Sequence, residues 1–507
     1  MKKFESFIKE YATRDFIYFF SDVSTKIFKK QLLEESENMN CCMTFLFDAL
    51  LHGFIHKQVP VMLSAWDIQG MAYLSIKYSN DYRNKIMEIE QAGKAVNYYR
   101  GYENEHSKTE CIKEAGIKDV FKFLMGMTYE QFKYQNLSWI FQNFNRNYHI
   151  LVGSKKINRE KIVDINEITN DLFGLSADEL LSVEMIILWL CSQRPDPLSA
   201  PEQLYRRKEE SILTRENIQR VIDYYSITYD QVRDTFLEKQ IFYSKPFVVT
   251  KKKQETIVIS FYLVVMLFAD GLYWLIRDYY REKKWGQKFI NAFGDMFEDY
   301  FAEIADIYLP KGTWHKIPTS KKKKEKSADY YVEFDEAIFL FELKSGLLGI
   351  EAKQQAPDVE KIDTFYDRNI LEAYEQLKRS EEVYQGKKPI IKVFLLYENA
   401  TNTQIIMSSM PEIFAMDKRC YVMTIADLEM LLSTYANDKN KFEKIIKALV
   451  QNENDEYNYE SVLNILNQYE AIGDLHFIEE RDYFEKIMRR LEIEFRMDEG
   501  NENPNES

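Results

Sequence analysis

Apolar residues recur at helical spacing through most of the first 245 positions. The opening segment, MKKFESFIKEYATRDFIYFFSDVSTKIF, predicts packed helix and carries too many acids for a secretory leader. Pro60, Gly70, Gly93, Gly153 and the PDPLSAP stretch at 195–201 punctuate the remainder of this region. Residues 247–256, FVVTKKKQET, read as a short hairpin or linker. The next stretch, TIVISFYLVVMLFA, is uncharged and apolar but shorter than the roughly 20 residues of a membrane span. Asp270, Arg277 and Asp278 follow it closely, so a buried helix is expected. Then WGQKFINAFGDMFEDYFAEIADIYL places Phe289, Phe293, Met296, Phe297, Tyr300, Phe301 and Ile304 on one helical stripe, with Glu298 at its edge.

Beyond Ser327 the period shortens to that of strands. Asp329 opens one extended segment and Ala337–Leu343 forms a second. Ile338 and Leu340 share one face, Phe339, Phe341 and Leu343 the other, as in a strand covered on both sides by a layered α/β sheet. Residues 367–385 predict a further helix and PIIKVFLLY, 389–397, another buried strand. The whole reads as a multidomain α+β protein. A mostly helical region, 1–245, serves recognition, a partner or sensing; 246–283 connects it to an α/β domain at 284–435. Helices at 436–495 and an acidic, disordered tail at 496–507 complete the chain.

Composition adds constraints rather than identity. Charged residues at 29% and hydrophobic ones at 46% are those of a globular chain, and scattered cysteines without a leader point to the reducing cytoplasm. The net charge of -14 argues against indiscriminate nucleic-acid binding, yet residues 311–326 hold seven lysines and one glutamate. Lys321, Lys322, Lys323, Lys324 and Lys326 therefore form a candidate phosphate-contacting run, or else a solvated loop.

The chemistry concentrates at the end of the second strand. Glu342 and Lys344, two apart, project to one face, and a carboxylate and an amine at the end of a buried strand need a pairing or a metal. Asp329, thirteen residues before Glu342, with Glu342-Leu343-Lys344, a preceding helix bearing G-x-x-x-E (Gly294, Glu298) and a following helix bearing Gln376, resembles the PD-(D/E)XK nuclease superfamily. The expected order is helix, three strands, helix, strand. Two departures are that no proline precedes Asp329 and that Ser380 stands where some relatives carry tyrosine.

The resemblance implies Mg²⁺, with Mn²⁺ as substitute, held by Asp329, Glu342 and the backbone carbonyl of Leu343, with Glu298 supporting a second ion. Lys344 would orient the attacking water and Gln376 would bond the phosphate or that water. The implied substrate is nucleic acid, DNA ahead of RNA, and the implied setting a bacterial restriction or anti-phage effector, with a homo-oligomer as one arrangement. No Walker phosphate loop is present, so any translocation would need a partner ATPase or other protein, met by the helical region. No membrane partner is expected.

Other readings stay open. A chain that kept this fold without catalysis would be a nucleic-acid-binding or scaffold subunit. Arg100 and His106 have the R-x5-H spacing of helical HEPN ribonucleases, which need no metal. His52 and His56, four apart, would share a helix face near Cys41-Cys42, a zinc arrangement that the adjacent cysteines fit poorly. The 34 tyrosines and 34 phenylalanines read mainly as core, although aromatics can stack on bases.

Overall fold

The computed structural model describes residues 2–33, 41–51, 53, 55–106, 120, 124, 131, 134–135, 137, 139–200, 211–251, 254–318, 326–347, 364–386, 388–397, 402–452, 459–471 and 482–499. The architecture is α+β with mixed sheets. Helices α1 (Lys2–Ile8) and α2 (Thr13–Leu33) precede a hairpin of β1 (Cys42–Leu51) and β2 (Ile55–Ser64). The antiparallel ladder runs from Cys42↔Ser64 to Leu51↔Ile55, and Gly53 in the turn has φ 74°, a left-handed value that glycine adopts without strain. The helix expected across His52 and His56 is therefore replaced by strands. His56 stands on β2, and His52 lies outside the described residues.

Helices α3 (Asp67–Tyr78), α4 (Ile89–His106), α5 (Trp139–Tyr148), α6 (Ile165–Phe173), α7 (Ala177–Gln193) and α8 (Arg215–Tyr224) continue the helical region. Local signals set several boundaries: Ser176 and Glu179 make a capping box on α7, and Gly174 ends α6 in the left-handed region. Strand β3 (Ser226–Thr228) and the antiparallel pair β4 (Phe247–Val249) and β5 (Thr256–Val258) make a small three-stranded sheet, and helix α9 (Tyr229–Asp234) follows β3. The apolar stretch after it forms α10 (Phe261–Glu282), which is buried along most of its length. No helix among the described residues is long and apolar enough to cross a membrane.

The amphipathic stripe forms α11 (Gly286–Tyr308), and all seven of its expected apolar residues are buried. Strands β6 (Trp314–Lys316), β7 (Tyr330–Glu333) and β8 (Ile338–Lys344) follow, then a π-turn and α12 (Glu372–Tyr384), then β9 (Ile390–Leu396). After α13 (Thr403–Ser409) and α14 (Pro411–Phe414), β10 (Cys420–Thr424) completes a five-stranded sheet ordered β10-β9-β8-β7-β6. The pairs β8–β9 and β9–β10 are parallel, and β6–β7 and β7–β8 antiparallel. Phe341 packs on Phe301 of α11, while Ser380 of α12 reaches the segment before β7, so the sheet is layered between helices. Helices α15 (Ile425–Asn437), α16 (Lys439–Gln451) and α17 (Val462–Gln468) pack beyond β10, and α18 (Tyr483–Glu499) returns to α5 and α7.

Two hydrophobic cores result. One gathers residues from the first 275 together with Ile487 and Leu491 of α18; the other gathers the five-stranded sheet and its helices together with Ile150, Leu151, Ile157, Ile162, Ile165 and Ile168. Helix α10 belongs to both: Phe261–Ala269 faces the first, and Leu272, Tyr273 and Ile276 the second.

Candidate active site

The β7–β8 register pairs Tyr330 with Phe341, so its continuation sets Asp329 opposite Glu342. Asp329 N–H donates to the Phe341 carbonyl at 2.9 Å, and Asp329 Oδ2 accepts the Leu343 N–H at 2.8 Å. A strand residue directs its N–H and C=O to the same neighbour, so the Leu343 carbonyl points to the edge where Asp329 sits. Phe339 and Phe341 turn toward the α11 side, which leaves Glu342 and Lys344 on the opposite face.

Glu342 is only 3% exposed. Its Oε1 accepts from Lys344 Nζ at 2.8 Å, whereas its buried Oε2 has no hydrogen-bond partner among the described residues. Burial pushes the carboxyl up to about 7, against the pull of Lys344 and with a further push from Asp329. Asp329 is also raised by burial, although the Leu343 N–H stabilises its charged form. Two facing carboxylates, one holding a buried oxygen that is unbonded among the described residues, are costly as they stand. A hard divalent cation would relieve that cost.

Helix α11 brings Glu298 to the rim, where it is bound by Lys316 of β6. Lys316 is raised by that bond, and its charge also reaches Asp329. Gly294, one turn before Glu298, faces Ser345: a Cβ there would stand 3.4 Å from the Ser345 hydroxyl. Glu298 thus joins the strand carboxylates through charge rather than through a shared cage. Among the described residues no three His, Cys, Asp or Glu side chains converge as a ready-made metal cluster. Mg²⁺ commonly takes one or two carboxylates and completes its shell with water and substrate phosphate, so the Asp329 and Glu342 oxygens fit it.

Gln376 is half-buried on α12, one turn before Ser380. Ser380 Oγ accepts the Ala328 N–H at 2.8 Å, and Arg379 donates to the Lys326 carbonyl at 2.8 Å. The helix carrying Gln376 therefore pins two residues that lead into Asp329. Lys326 is exposed, and its charge is felt at Glu342. Lys321, Lys322, Lys323 and Lys324 lie outside the described residues.

Sequence reasoning missed Lys316, on a three-residue strand too short to leave a period, and Tyr397 just past β9. Tyr397 N–H donates to the Lys344 carbonyl at 2.9 Å, and its hydroxyl binds Asn147 of α5. Asn147 in turn donates to the Ala269 carbonyl at 3.1 Å. No local pattern announces such a contact across 250 residues.

Arg100 and His106 do not come together. Six residues apart on α4, they are turned by about 120°. Arg100 pairs with Asp67 at 2.8 Å and donates to Ser64 Oγ at 3.0 Å, whereas His106 stacks on Tyr102 with ring centroids 3.9 Å apart. No family model, curated protein or solved structure matches the chain.

Proposed function

We propose that the chain is a metal-dependent nuclease of the PD-(D/E)XK type that hydrolyses phosphodiester bonds, with DNA as the favoured substrate. The observation that carries this reading is the buried Glu342 carboxylate, opposite Asp329, bonded to Lys344 through one oxygen and, among the described residues, unbonded at the other.

Asp329 and Glu342, with the Leu343 carbonyl, would hold Mg²⁺ or Mn²⁺. Bound there, the ion supplies Lewis-acid polarisation of a phosphate oxygen and a lowered pKa for bound water. Lys344, fixed by Glu342, orients the attacking water and offsets negative charge as it grows on the phosphate. Glu298 adds a further carboxylate at the rim, held ready by Lys316. Gln376 can donate to a phosphate oxygen or accept from the water. Lys326, with Lys321–Lys324, contributes sequence-independent and salt-dependent contact to the backbone. The helical region would supply the trigger, partner or substrate selection, in the manner of a defence effector.

Purified protein incubated with plasmid, linear duplex, single-stranded DNA and RNA, each with Mg²⁺ or with EDTA, tests the reading and chooses the substrate. Cutting of DNA that EDTA abolishes is expected. Salt-sensitive binding without cutting of any substrate in Mg²⁺ or Mn²⁺ would replace the nuclease with a non-catalytic binding subunit. Cutting of RNA that survives EDTA would move the activity away from the carboxylates.

A further inference from the structure

A second chemical cluster lies where β1 and β2 meet α3 and α4, and no step at the carboxylate site uses it. Cys41 is buried, Cys42 is half-exposed, and both are free thiols. Neighbours on a regular strand point to opposite faces. Cys41 sits in a bend just before β1, where that alternation does not apply. Cys42 Sγ also lies 3.6 Å from Ser64 Oγ. Arg100 Nη2 donates to the same hydroxyl at 3.0 Å and pairs with the buried Asp67 at 2.8 Å. The Ser64 N–H closes the ring of contacts on Asp67 at 3.1 Å.

We propose that this cluster is a thiol-oxidant site, with Cys42 as the thiolate that reacts with a peroxide and Cys41 as the thiol that closes a reversible vicinal disulfide. The two thiols are unequal, as such a pair requires. Beside the Cys41 thiol, the Ser64 hydroxyl and the charge of Arg100, the Cys42 thiol comes down to about 7 against the opposing push of burial and Asp67, while the Cys41 thiol is raised by its neighbour Cys42 and by burial.

The steps balance. The Cys42 thiolate attacks one peroxide oxygen, the O–O bond breaks, and the departing hydroxide takes a proton and leaves as water. Sulfur is oxidised by two electrons to the sulfenic acid. Cys41 sulfur then attacks that sulfur, the S–O bond breaks, and a second water leaves with the Cys41 proton. One peroxide is consumed for each disulfide formed.

Geometry also makes the product labile. Consecutive Cα atoms stand about 3.8 Å apart, closer than the roughly 4.4–6.8 Å of ordinary disulfides. The eight-membered ring is therefore strained and readily reduced, which suits a signal in a reducing compartment rather than a structural staple. Ring closure also falls where the Cys41 carbonyl accepts the Ala65 N–H at 2.9 Å, at the anchored end of the hairpin.

Hydrogen peroxide titrated onto the full chain, followed by digestion and mass spectrometry, tests the site. The peptide carrying both cysteines is expected to lose two hydrogens and to regain them with dithiothreitol. In the Cys41→Ser variant, dimedone is expected to trap a sulfenic acid on Cys42 at least about tenfold faster than on buried Cys191 or Cys420. Arg100→Gln should slow that trapping. Circular dichroism establishes that each variant is folded, and the wild-type digestion stands without them. Dimedone labelling of Cys42 no faster than of Cys191, or a wild-type product linked between chains instead of within one peptide, would overturn the proposal.

Discussion

Among the described residues Glu342 pairs with Lys344 through one oxygen only, and burial raises the pKa of its carboxyl. Its folded-state value of about 7 lies above the ordinary 4.5. A group raised in this way contributes stability that is full below 4.5 and is lost as pH rises through about 7, because the unfolded chain ionises first. The Glu342→Gln variant keeps an acceptor for Lys344 and removes the ionisation. Between pH 5 and pH 8.5 it should gain on the order of 2 kcal/mol relative to wild type, at about 1.4 kcal/mol for each tenfold change in proton affinity less a discount for relaxation. Denaturant melts at the two pH values measure this, and parallel melts with a constant gap would exclude a raised Glu342. Ser380 is a smaller case. Its hydroxyl is the partner of the Ala328 N–H, so Ser380→Ala should cost about 1–3 kcal/mol by stranding a buried donor, read as a lowered denaturant midpoint.

At the scale of elements, the hairpin and α4 meet through a glycine. A Cβ at Gly93 would stand 1.6 Å from the Leu46 carbonyl oxygen, which is backbone and cannot rotate aside. Gly93→Ala should therefore push β1 off α4 and cost more than the roughly 1–3 kcal/mol of ordinary overpacking, seen as a fall in thermal midpoint and new protease cuts in residues 42–64. An unchanged midpoint would mean that the hairpin is not seated on α4. This hairpin was also the least legible element in the sequence. Its outward face carries Leu46, Leu50 and Met62, all about half exposed, so burial does not impose the alternation that marks a strand. The opposite holds for α11 and β8, whose periods follow from burial of one stripe and of both faces. The shared face of Glu342 and Lys344 was legible for the same reason, since the alternation of β8 fixes it, whereas the place of Asp329 opposite Glu342 comes from the β7–β8 register. Lys316, Ser380 and Tyr397 were not, because their roles depend on which distant segment the fold sets beside them.

Over the whole molecule, the helical region and the sheet are joined by buried polar contacts. Arg146 of α5 pairs with Glu429 of α15 through bonds of 2.6 and 2.5 Å, and Tyr300 donates to the same carboxylate at 2.8 Å. One residue further along α5, Asn147 meets Tyr397, whose N–H holds the Lys344 carbonyl. Segment 154–161 binds along α11 as well: Ser154 donates to Glu303 at 2.8 Å, the Asn158 N–H to Asp299 at 3.0 Å, and Lys161 pairs with Asp295. Helix α10 runs through both cores. Arg146→Ala, which strands a buried carboxylate at this seam, should cost about 3–5 kcal/mol and split a single calorimetric transition into two. One unsplit transition at the wild-type temperature would mean that the seam contributes little.

The central claim is that the buried Glu342–Lys344 pair opposite Asp329 is a hydrolytic centre. Its most direct test is DNA cleavage in Mg²⁺ by wild type, Lys344→Ala and Asp329→Asn side by side, with circular dichroism to establish that all three are folded. Wild type should cut, and each folded variant should lose at least about a hundredfold in rate, the scale of removing one charge-stabilising group from an active site. Cleavage by either folded variant at the wild-type rate would contradict the account.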